Sequence, residues 1–163
     1  MVYPAKDEAN RLQRLEARNL TYQFPTTQNG IRGVNLNLRR GSFTVVTGRI
    51  GSGKTTLLRV LLGLLPLDSG EIRWNGAPVE KPGELFTPPI CAYTAQVPRL
   101  FSDTLRNNIL LGLPVDAAGL ARALCLAVLE RDVTELEHGL DTTVGPRGVK
   151  LSGGQVQRTA AAR

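Results

Sequence analysis

The sequence has 163 residues, of which 42% are hydrophobic, and this is enough for one ordinary domain with its own core. Disorder is therefore excluded as a description of the whole chain. The formal net charge is +6, but the 20 basic residues are spread out and form no basic run interleaved with aromatic residues. We expect no nucleic-acid partner, because a solvated basic surface explains this charge most simply.

The chain lacks the usual sequence signals for entering a membrane or a secretory route. Its longest apolar stretch, residues 57–67, contains Arg59 and is far shorter than the ~20 residues of a membrane-spanning helix. The first eight residues have no apolar centre of the secretory type. We therefore expect a cytoplasmic chain that meets a membrane only through a partner. Cys91 and Cys125 belong to no CxxC or Cys/His pattern, so reduced and partly buried thiols are expected.

Two half-buried strands are predicted after a polar lead-in, residues 1–14. Apolar residues alternate with polar ones in both strands, and a loop rich in Pro, Thr, Gln, Asn and Gly joins them. The alternating residues are Leu20, Tyr22 and Phe24 in the first strand and Val34, Leu36 and Leu38 in the second.

A strand, a glycine-rich loop and a helix are predicted next. The strand is Phe43–Thr47, the loop is Gly48–Gly53, and the helix is a buried one over Lys54–Leu65 that ends at Pro66. Strand, loop and helix follow each other in the order that a phosphate-binding turn requires.

The pattern then changes from strand to helix. A short strand at Glu71–Trp74 is followed by a turn at Asn75–Gly76 and by a proline-rich, irregular connection over residues 77–89. Ile90–Thr94 is a further strand candidate, and from Asp103 the chain is predicted to be helical.

Two helices of this second part have predicted starts. Asp116 is expected to cap a helix with one apolar face. That face consists of Leu120, Ala123, Leu124, Ala127 and Val128. A glycine-rich turn at Ser152–Gly154 opens a last, polar helix that extends to Arg163.

Residues 48–55 match G-x-x-x-x-G-K-[ST], the P-loop pattern. Glycines in such a loop remove the Cβ atoms that would keep phosphate oxygens from the backbone N–H groups. Lys54 is expected to reach the β- and γ-phosphates and Thr55 to ligate Mg²⁺. A flexible glycine turn without a ligand is the alternative, and the flanking strand and helix disfavour it. A purine triphosphate is the expected ligand. The residues expected to bind it here are Gly48, Arg49, Gly51, Ser52, Gly53, Lys54, Thr55 and Thr56.

Leu151-Ser152-Gly153-Gly154-Gln155 resembles the signature sequence of ATP-binding-cassette (ABC) proteins, and residues 156–163 resemble the start of that family's signature helix. The residues themselves predict a second anion site, because Ser152 is a good N-cap and the glycines expose N–H groups at a helix N-terminus. The resemblance implies that Ser152, Gly153, Gly154 and Gln155 grip the γ-phosphate of ATP held by an opposite subunit. An isolated Ser-Gly-Gly would suggest only a linker turn.

Residues 93–109 resemble the Q-loop of exporter-type cassettes and the segment after it. The resemblance implies that Gln96 contacts Mg²⁺ and the attacking water, while its loop faces a transmembrane partner. It also puts Phe24 where the family carries an aromatic residue, usually Tyr, that stacks on adenine. Tyr22 is the competing candidate, although its alternation with Leu20 and Phe24 makes a core role equally possible.

Residues 141–148 resemble the segment before the signature that touches coupling helices in exporters. Pro146 stands where exporters usually carry an acidic residue. We therefore expect the strength or geometry of coupling to the transmembrane partner to differ from that of exporters. His138, the only histidine, is expected on the surface at a helix end. It is not the family's switch histidine, which would follow the signature.

The resemblance covers residues 15–163 and ends inside the signature helix. The family's Walker B aspartate, catalytic glutamate, D-loop and switch histidine would all follow Arg163. We therefore expect the chain to bind ATP and Mg²⁺ with little or no hydrolysis, since phosphoryl transfer depends on a positioned metal and water. A frameshifted gene, a fragmentary sequence or an expression fragment explains this ending better than a complete enzyme does.

The expected fold class is α/β, a P-loop NTPase core of mixed sheet and helices. An antiparallel β lobe is expected at the N-terminus and a helical lobe over about residues 103–150. Residues 1–14 form the lead-in, and residues 15–163 form an incomplete ATP-binding domain.

The expected function is that of the ATP-binding part of an ABC transporter of export type, on the cytoplasmic side of a membrane. Its expected partners are transmembrane domains and a second cassette, in a head-to-tail homo- or heterodimer. A chromosome-maintenance or DNA-repair cassette is disfavoured, because no coiled-coil or zinc-bearing insertion separates the P-loop from the signature. A non-catalytic remnant or regulatory module stays open as the alternative.

Overall fold

The structure, a computed structural model, describes residue 8 and residues 10–163. The chain divides into two compact units, one ending at Ala92 and the other spanning Tyr93–Arg163. Most of the predicted lead-in, residues 1–7 and 9, lies outside the described residues. Each unit has a hydrophobic core of its own.

The first unit is built on a four-stranded antiparallel sheet. Its strands run in the order β2-β1-β3-β4. They are β1 (Arg14–Gln23), β2 (Gly30–Arg39), β3 (Ser69–Trp74) and β4 (Ala77–Pro78). The antiparallel β lobe, both long strands and the hairpin turn at Asn75–Gly76 are thus confirmed.

An irregularity in β1 decides which of its side chains face the core. Asn19 has φ 51°, and the pairing of β1 with β2 shifts between Ala17 and Leu20. In a regular strand, two residues three positions apart point to opposite faces. Here Ala17, Leu20 and Tyr22 all belong to the core, with 2%, 0% and 6% of their surface exposed.

The helix α1 (Lys54–Leu61) packs Leu57, Val60 and Leu61 against the same core. It ends four residues before the predicted end at Leu65, so that boundary was wrong. The reason is Gly63, which has φ 67° and donates its N–H to the Val60 carbonyl at 3.0 Å, while Leu64 N–H donates to Arg59 at 2.8 Å. This pair of bonds is a Schellman motif, which ends a helix at a glycine.

The predicted strands Phe43–Thr47 and Ile90–Thr94 do not form in the described part of the chain. Phe43 is 93% and Val45 64% exposed. A strand is stable only when its N–H and C=O groups pair with a neighbour, and this segment has no strand beside it among the described residues. The structure therefore confirms a mixed α/β fold with an antiparallel lobe, but not the predicted mixed sheet of the P-loop core.

The connection over residues 77–89 contains β4 and a single helical turn, α2 (Pro82–Leu85), where the sequence predicted irregular structure. Proline at the first position of α2 needs no hydrogen-bond partner for its nitrogen, so it suits a helix start.

The second unit is mainly helical, but the predicted start of helical structure at Asp103 was two residues early, because Asp103 and Thr104 form a strand and the first helix begins at Leu105. Its helices are α3 (Leu105–Leu110), α4 (Ala117–Leu126), α5 (Glu130–Thr134), a 3₁₀ turn (Gly139–Asp141) and α6 (Gly153–Ala161). The two-residue strands β5 (Asp103–Thr104) and β6 (Thr143–Val144) pair antiparallel. Among the described residues, no helix has both the length and the apolar character needed to cross a membrane.

Helix α4 begins as predicted, but Val128, the last residue of its predicted apolar face, is not buried. Asp116 accepts a hydrogen bond from Gly119 N–H at 2.7 Å, and Leu120 and Leu124 are buried. Val128, however, is 73% exposed, because α4 ends at Leu126 and Val128 has φ 54°, so the helical spacing no longer applies. Cys125 is also exposed, contrary to expectation, while burial raises the pKa of the half-buried Cys91 thiol.

Candidate functional site

The loop before α1 folds around its own lysine. Lys54 Nζ donates to the carbonyl oxygens of Gly48 and Arg49, both at 2.8 Å, and Ser52 N–H donates to Arg49 at 3.2 Å. The structure thus brings the predicted P-loop residues together at the N-terminus of α1.

Two glycines of this loop are required for different reasons. Gly51 has φ 81° and Gly53 has φ 87°, both in the left-handed region that favours glycine. A Cβ atom on Gly53 would lie 2.9 Å from Ile31 Cγ2 and 3.0 Å from the Gly30 carbonyl oxygen, both on β2, whereas one on Gly51 would meet nothing within 4 Å. Only Gly53 therefore allows the loop to approach the sheet.

This difference predicts unequal costs for two matched substitutions. Gly51→Ala should lower the free energy of unfolding by about 1 kcal/mol, the cost of the left-handed backbone alone. Gly53→Ala should cost about 2–4 kcal/mol, because crowding against β2 adds to that strain. Urea denaturation of both variants beside the wild type measures the difference. Equal losses would show that the close approach to Gly30 and Ile31 does not matter for stability.

The N-terminus of α1 offers hydrogen-bond donors that the helix itself does not use. The first amides of a helix have no acceptor within it, and Gly53 supplies no side-chain cap. These amides, those of Lys54, Thr55 and Thr56, combine with the partial positive charge of the helix end and with the Lys54 ammonium. The residues present therefore fit a polyphosphate.

A divalent cation at this loop would depend on the ligand it accompanies. No group of three or more His, Cys, Asp or Glu side chains suited to a metal occurs in the described residues. Thr55 offers an exposed hydroxyl, and Mg²⁺ typically combines few protein oxygens with phosphate oxygens and water. The donor set thus fits Mg²⁺ together with a bound phosphate chain.

The two aromatic candidates for adenine stacking differ in burial. Tyr22 is only 6% exposed and belongs to the core, whereas Phe24 is partly buried at the edge of that core. Their rings meet edge to face, with centroids 5.0 Å apart and an interplanar angle of 78°. Phe24 is thus the more exposed of the two aromatic residues.

The start of α6 is a complete capping box. Ser152 Oγ accepts from Gln155 N–H at 3.2 Å, and Gln155 Oε1 accepts from Ser152 N–H at 2.9 Å. Gly153 and Gly154 are exposed and are the first two residues of α6, where N–H groups have no acceptor within the helix. Gln155 is different, because its Nε2 donates to Asp132 Oδ1 at 3.2 Å and both ends of its amide are engaged.

Asp132, on α5, was missed in the sequence. Arg158 donates to its two oxygens, Nε to Oδ2 at 2.7 Å and Nη2 to Oδ1 at 2.9 Å. These bonds, more than any other contact, hold the pKa of Asp132 below its usual range, and they raise the pKa of Arg158. Asp132 lies in no sequence motif, and its position in the first turn of a short helix does not indicate a contact with Arg158 or Gln155.

The segment after Gln96 is organised by a buried asparagine. The Asn108 side chain accepts from Phe101 N–H at 2.8 Å and donates to the carbonyls of Phe101 and Thr104, both at 3.0 Å. Asn108 is fully buried, a role that the sequence did not reveal. Gln96 itself is exposed and belongs to the second unit, whereas Thr55 belongs to the first.

Two further predicted residues lie at the surface of the second unit. Pro146 lines an open groove of about 390 Å³, together with Pro98, Leu100, Leu151 and Val156. The segments after Gln96 and before the signature therefore share one apolar groove. His138 is exposed, as predicted, and precedes the 3₁₀ turn.

The chain resembles known proteins along most of its length. A family model described as ABC transporter matches residues 31–163. The chain is 38% identical over 144 residues to the multidrug resistance-like ATP-binding protein MdlA of Escherichia coli, covering 87% of this chain and 24% of that protein. It is 33% identical over 163 residues to ABC transporter B family member 1 of Dictyostelium discoideum, covering 97% of this chain and 18% of that protein.

A solved structure shows the same likeness in three dimensions. The structure of a bacterial Atm1-family ABC exporter with ATP bound matches with a TM-score of 0.82 and 28% identity, over 93% of this chain and 27% of that chain. The chain thus spans about a quarter or less of the length of these relatives.

Proposed function

The chain belongs to the ABC transporter family, and from this membership we propose that it is the ATP-binding part of an export-type transporter, coupling ATP binding and hydrolysis to transport. The observation that carries the proposal is the occurrence, in one chain, of a glycine loop closed on Lys54 and a capped pair of exposed glycines at α6. Each supplies backbone N–H groups at a helix N-terminus, as binding of a nucleoside triphosphate between two such sites requires.

The residues of the first unit have distinct proposed roles. Lys54 would neutralise charge on the β- and γ-phosphates, and the first amides of α1 would donate hydrogen bonds to them. Phe24 would stack on the adenine. Bound Mg²⁺ supplies charge neutralisation at the phosphate oxygens, and we propose Thr55 and Gln96 as the residues that hold it.

The second unit would act on a neighbouring copy. We propose that Ser152, Gly153 and Gly154 contact the γ-phosphate held by the opposite cassette of a head-to-tail dimer. We assign residues 15–163 to the ATP-binding domain and about 103–150 to its helical lobe. Transmembrane domains would be the remaining partner and would place the assembly on the cytoplasmic side of a membrane.

The polypeptide of these 163 residues should bind MgATP but release phosphate no faster than its Lys54→Ala variant. We assign no carboxylate of residues 1–163 to metal binding or to water activation, and phosphoryl transfer depends on such groups. Calorimetric titration with MgATP and a steady-state phosphate-release assay measure the two properties.

Two outcomes would contradict this proposal in different ways. Sustained phosphate release that disappears in Lys54→Ala would show that a residue of this polypeptide does activate water. Absence of any MgATP binding would favour the alternative of a non-catalytic remnant. The lack of a strand at Phe43–Thr47 in the described residues is consistent with that alternative, because this segment leads into the glycine loop.

A further inference from the structure

A chain of hydrogen bonds runs from Arg158 in α6, through Asp132 in α5, back to the tip of α6. It begins at Arg158, whose guanidinium forms two bonds with Asp132, at 2.7 and 2.9 Å. It continues from Asp132 to Gln155 Nε2 at 3.2 Å and from Gln155 Oε1 to Ser152 N–H at 2.9 Å. The last link is the capping bond between Ser152 Oγ and Gln155 N–H at 3.2 Å.

The carboxylate of Asp132 determines which way the Gln155 amide faces. An ionised carboxylate can only accept hydrogen bonds, so it pairs with the NH₂ end of the glutamine amide. The opposite end, Oε1, is then left to accept from Ser152 N–H. A reversed amide would set its NH₂ against the Ser152 N–H and its oxygen against the carboxylate, and both contacts would be repulsive.

The carboxylate is itself held in place. The two-pronged contact with Arg158 fixes both of its oxygens, and its side chain is only 14% exposed. A Cβ atom added to Gly154 would lie 3.3 Å from Arg158 Nη1, so the same guanidinium lies beside this exposed glycine. The positions of Asp132, Gln155 and Ser152 are therefore mutually dependent.

We propose that Asp132 is a positioning residue of the signature: by orienting Gln155, it sets where Ser152 and the N–H groups of Gly153 and Gly154 point. This rests on the proposed function of those three residues as a phosphate site for a second copy. It also gives Gln155 a supporting role within its own unit, with Ser152, Gly153 and Gly154 left to make the contacts.

The electrostatics keep this arrangement intact near neutral pH. Arg158 and Arg131 both act on Asp132 and, with Gln155, lower its pKa. A lowered pKa in the folded chain stabilises the fold above the ordinary aspartate pKa, and this contribution is lost as the pH falls through the lowered value. Asp132 is therefore an ionised hydrogen-bond acceptor near neutral pH.

The test compares Asp132→Ala with Asp132→Glu in the 163-residue chain. Glu135→Gln is the matched control, because Glu135 lies just beyond α5 and, within the described residues, its ion pair is with the exposed Arg131. NMR hydrogen exchange at the Ser152 and Gln155 amides reports the capping box. Exchange in Asp132→Ala should rise about tenfold or more, while Asp132→Glu should retain most of the protection and Glu135→Gln all of it.

A second measurement separates positioning from local stability. MgATP-dependent association of two copies, followed by sedimentation, should weaken about tenfold in Asp132→Ala. Binding of a fluorescent ATP analogue to the same variant should stay unchanged, since the first unit holds that site. Asp132→Glu should restore association in part.

The outcomes are distinct. Unchanged exchange at Ser152 in Asp132→Ala would overturn the proposal, and so would faster exchange with undiminished association. A wild type that binds MgATP yet never associates would overturn the proposed function of the signature and with it the positioning role. In that case the exchange rates would still show whether Asp132 stabilises the capping box through Gln155. If Asp132→Ala does not fold, Arg158→Lys replaces it, since a lysine cannot form the two-pronged contact.

Discussion

Replacing Lys54 with alanine should weaken MgATP binding by about 30- to 100-fold. Lys54 is the cation of the glycine loop, and its ammonium already lies within 2.8 Å of two loop carbonyls. Loss of a charge-assisted hydrogen bond to a phosphate costs about 2–2.7 kcal/mol, which corresponds to this change in dissociation constant. Isothermal titration calorimetry with MgATP measures it directly.

Two controls show whether the effect is specific to the phosphates. Lys81→Ala removes the same charge from the same unit. In the part of the chain that the structure describes, Lys81 is exposed and forms its ion pair with Glu84, so its loss should leave binding within about twofold. Adenosine, which carries no phosphate, should bind wild type and Lys54→Ala equally weakly. Equal MgATP affinity of Lys54→Ala and Lys81→Ala would contradict the assignment of the glycine loop as the phosphate-binding site.

Replacing Ser152 with arginine should abolish MgATP-dependent association of two copies while each copy still binds ATP. Ser152 caps α6 at an exposed helix tip, next to two exposed glycines. A long arginine side chain would fill the space that we assign to the γ-phosphate of the neighbour. The P-loop is in the other unit and is not altered by the substitution. Sedimentation in the presence and absence of MgATP measures association, and a fluorescent nucleotide measures binding.

Mixing two defective variants tests whether the signature acts on a neighbour. In a pair of Ser152→Arg with Lys54→Ala, one shared site carries both defects and the other carries neither. Association should therefore reappear in the mixture, at a level below wild type, although neither variant associates alone. Loss of ATP binding by the isolated Ser152→Arg monomer would show instead that the signature acts within its own chain.

Several features could be predicted from the sequence because they depend on short-range patterns. The P-loop spans eight consecutive residues, so its glycines, Lys54 and Thr55 can be recognised without knowledge of the fold. The helix caps at Asp116 and Ser152 act on amides three residues ahead and were likewise correct. The β lobe followed from alternating residues and a two-residue turn, which are also local signals.

The tertiary structure decided the features that depend on distant partners. Phe43–Thr47 has the composition of a strand, yet a strand requires hydrogen bonds from another segment, and the described residues provide none there. Asp132 meets Gln155 across 23 positions of sequence, which no local pattern indicates. Sequence alone therefore determined which residues we propose to meet a phosphate. Only the folded chain showed that Asp132 contacts Gln155, because this contact exists only after folding brings α5 and α6 together.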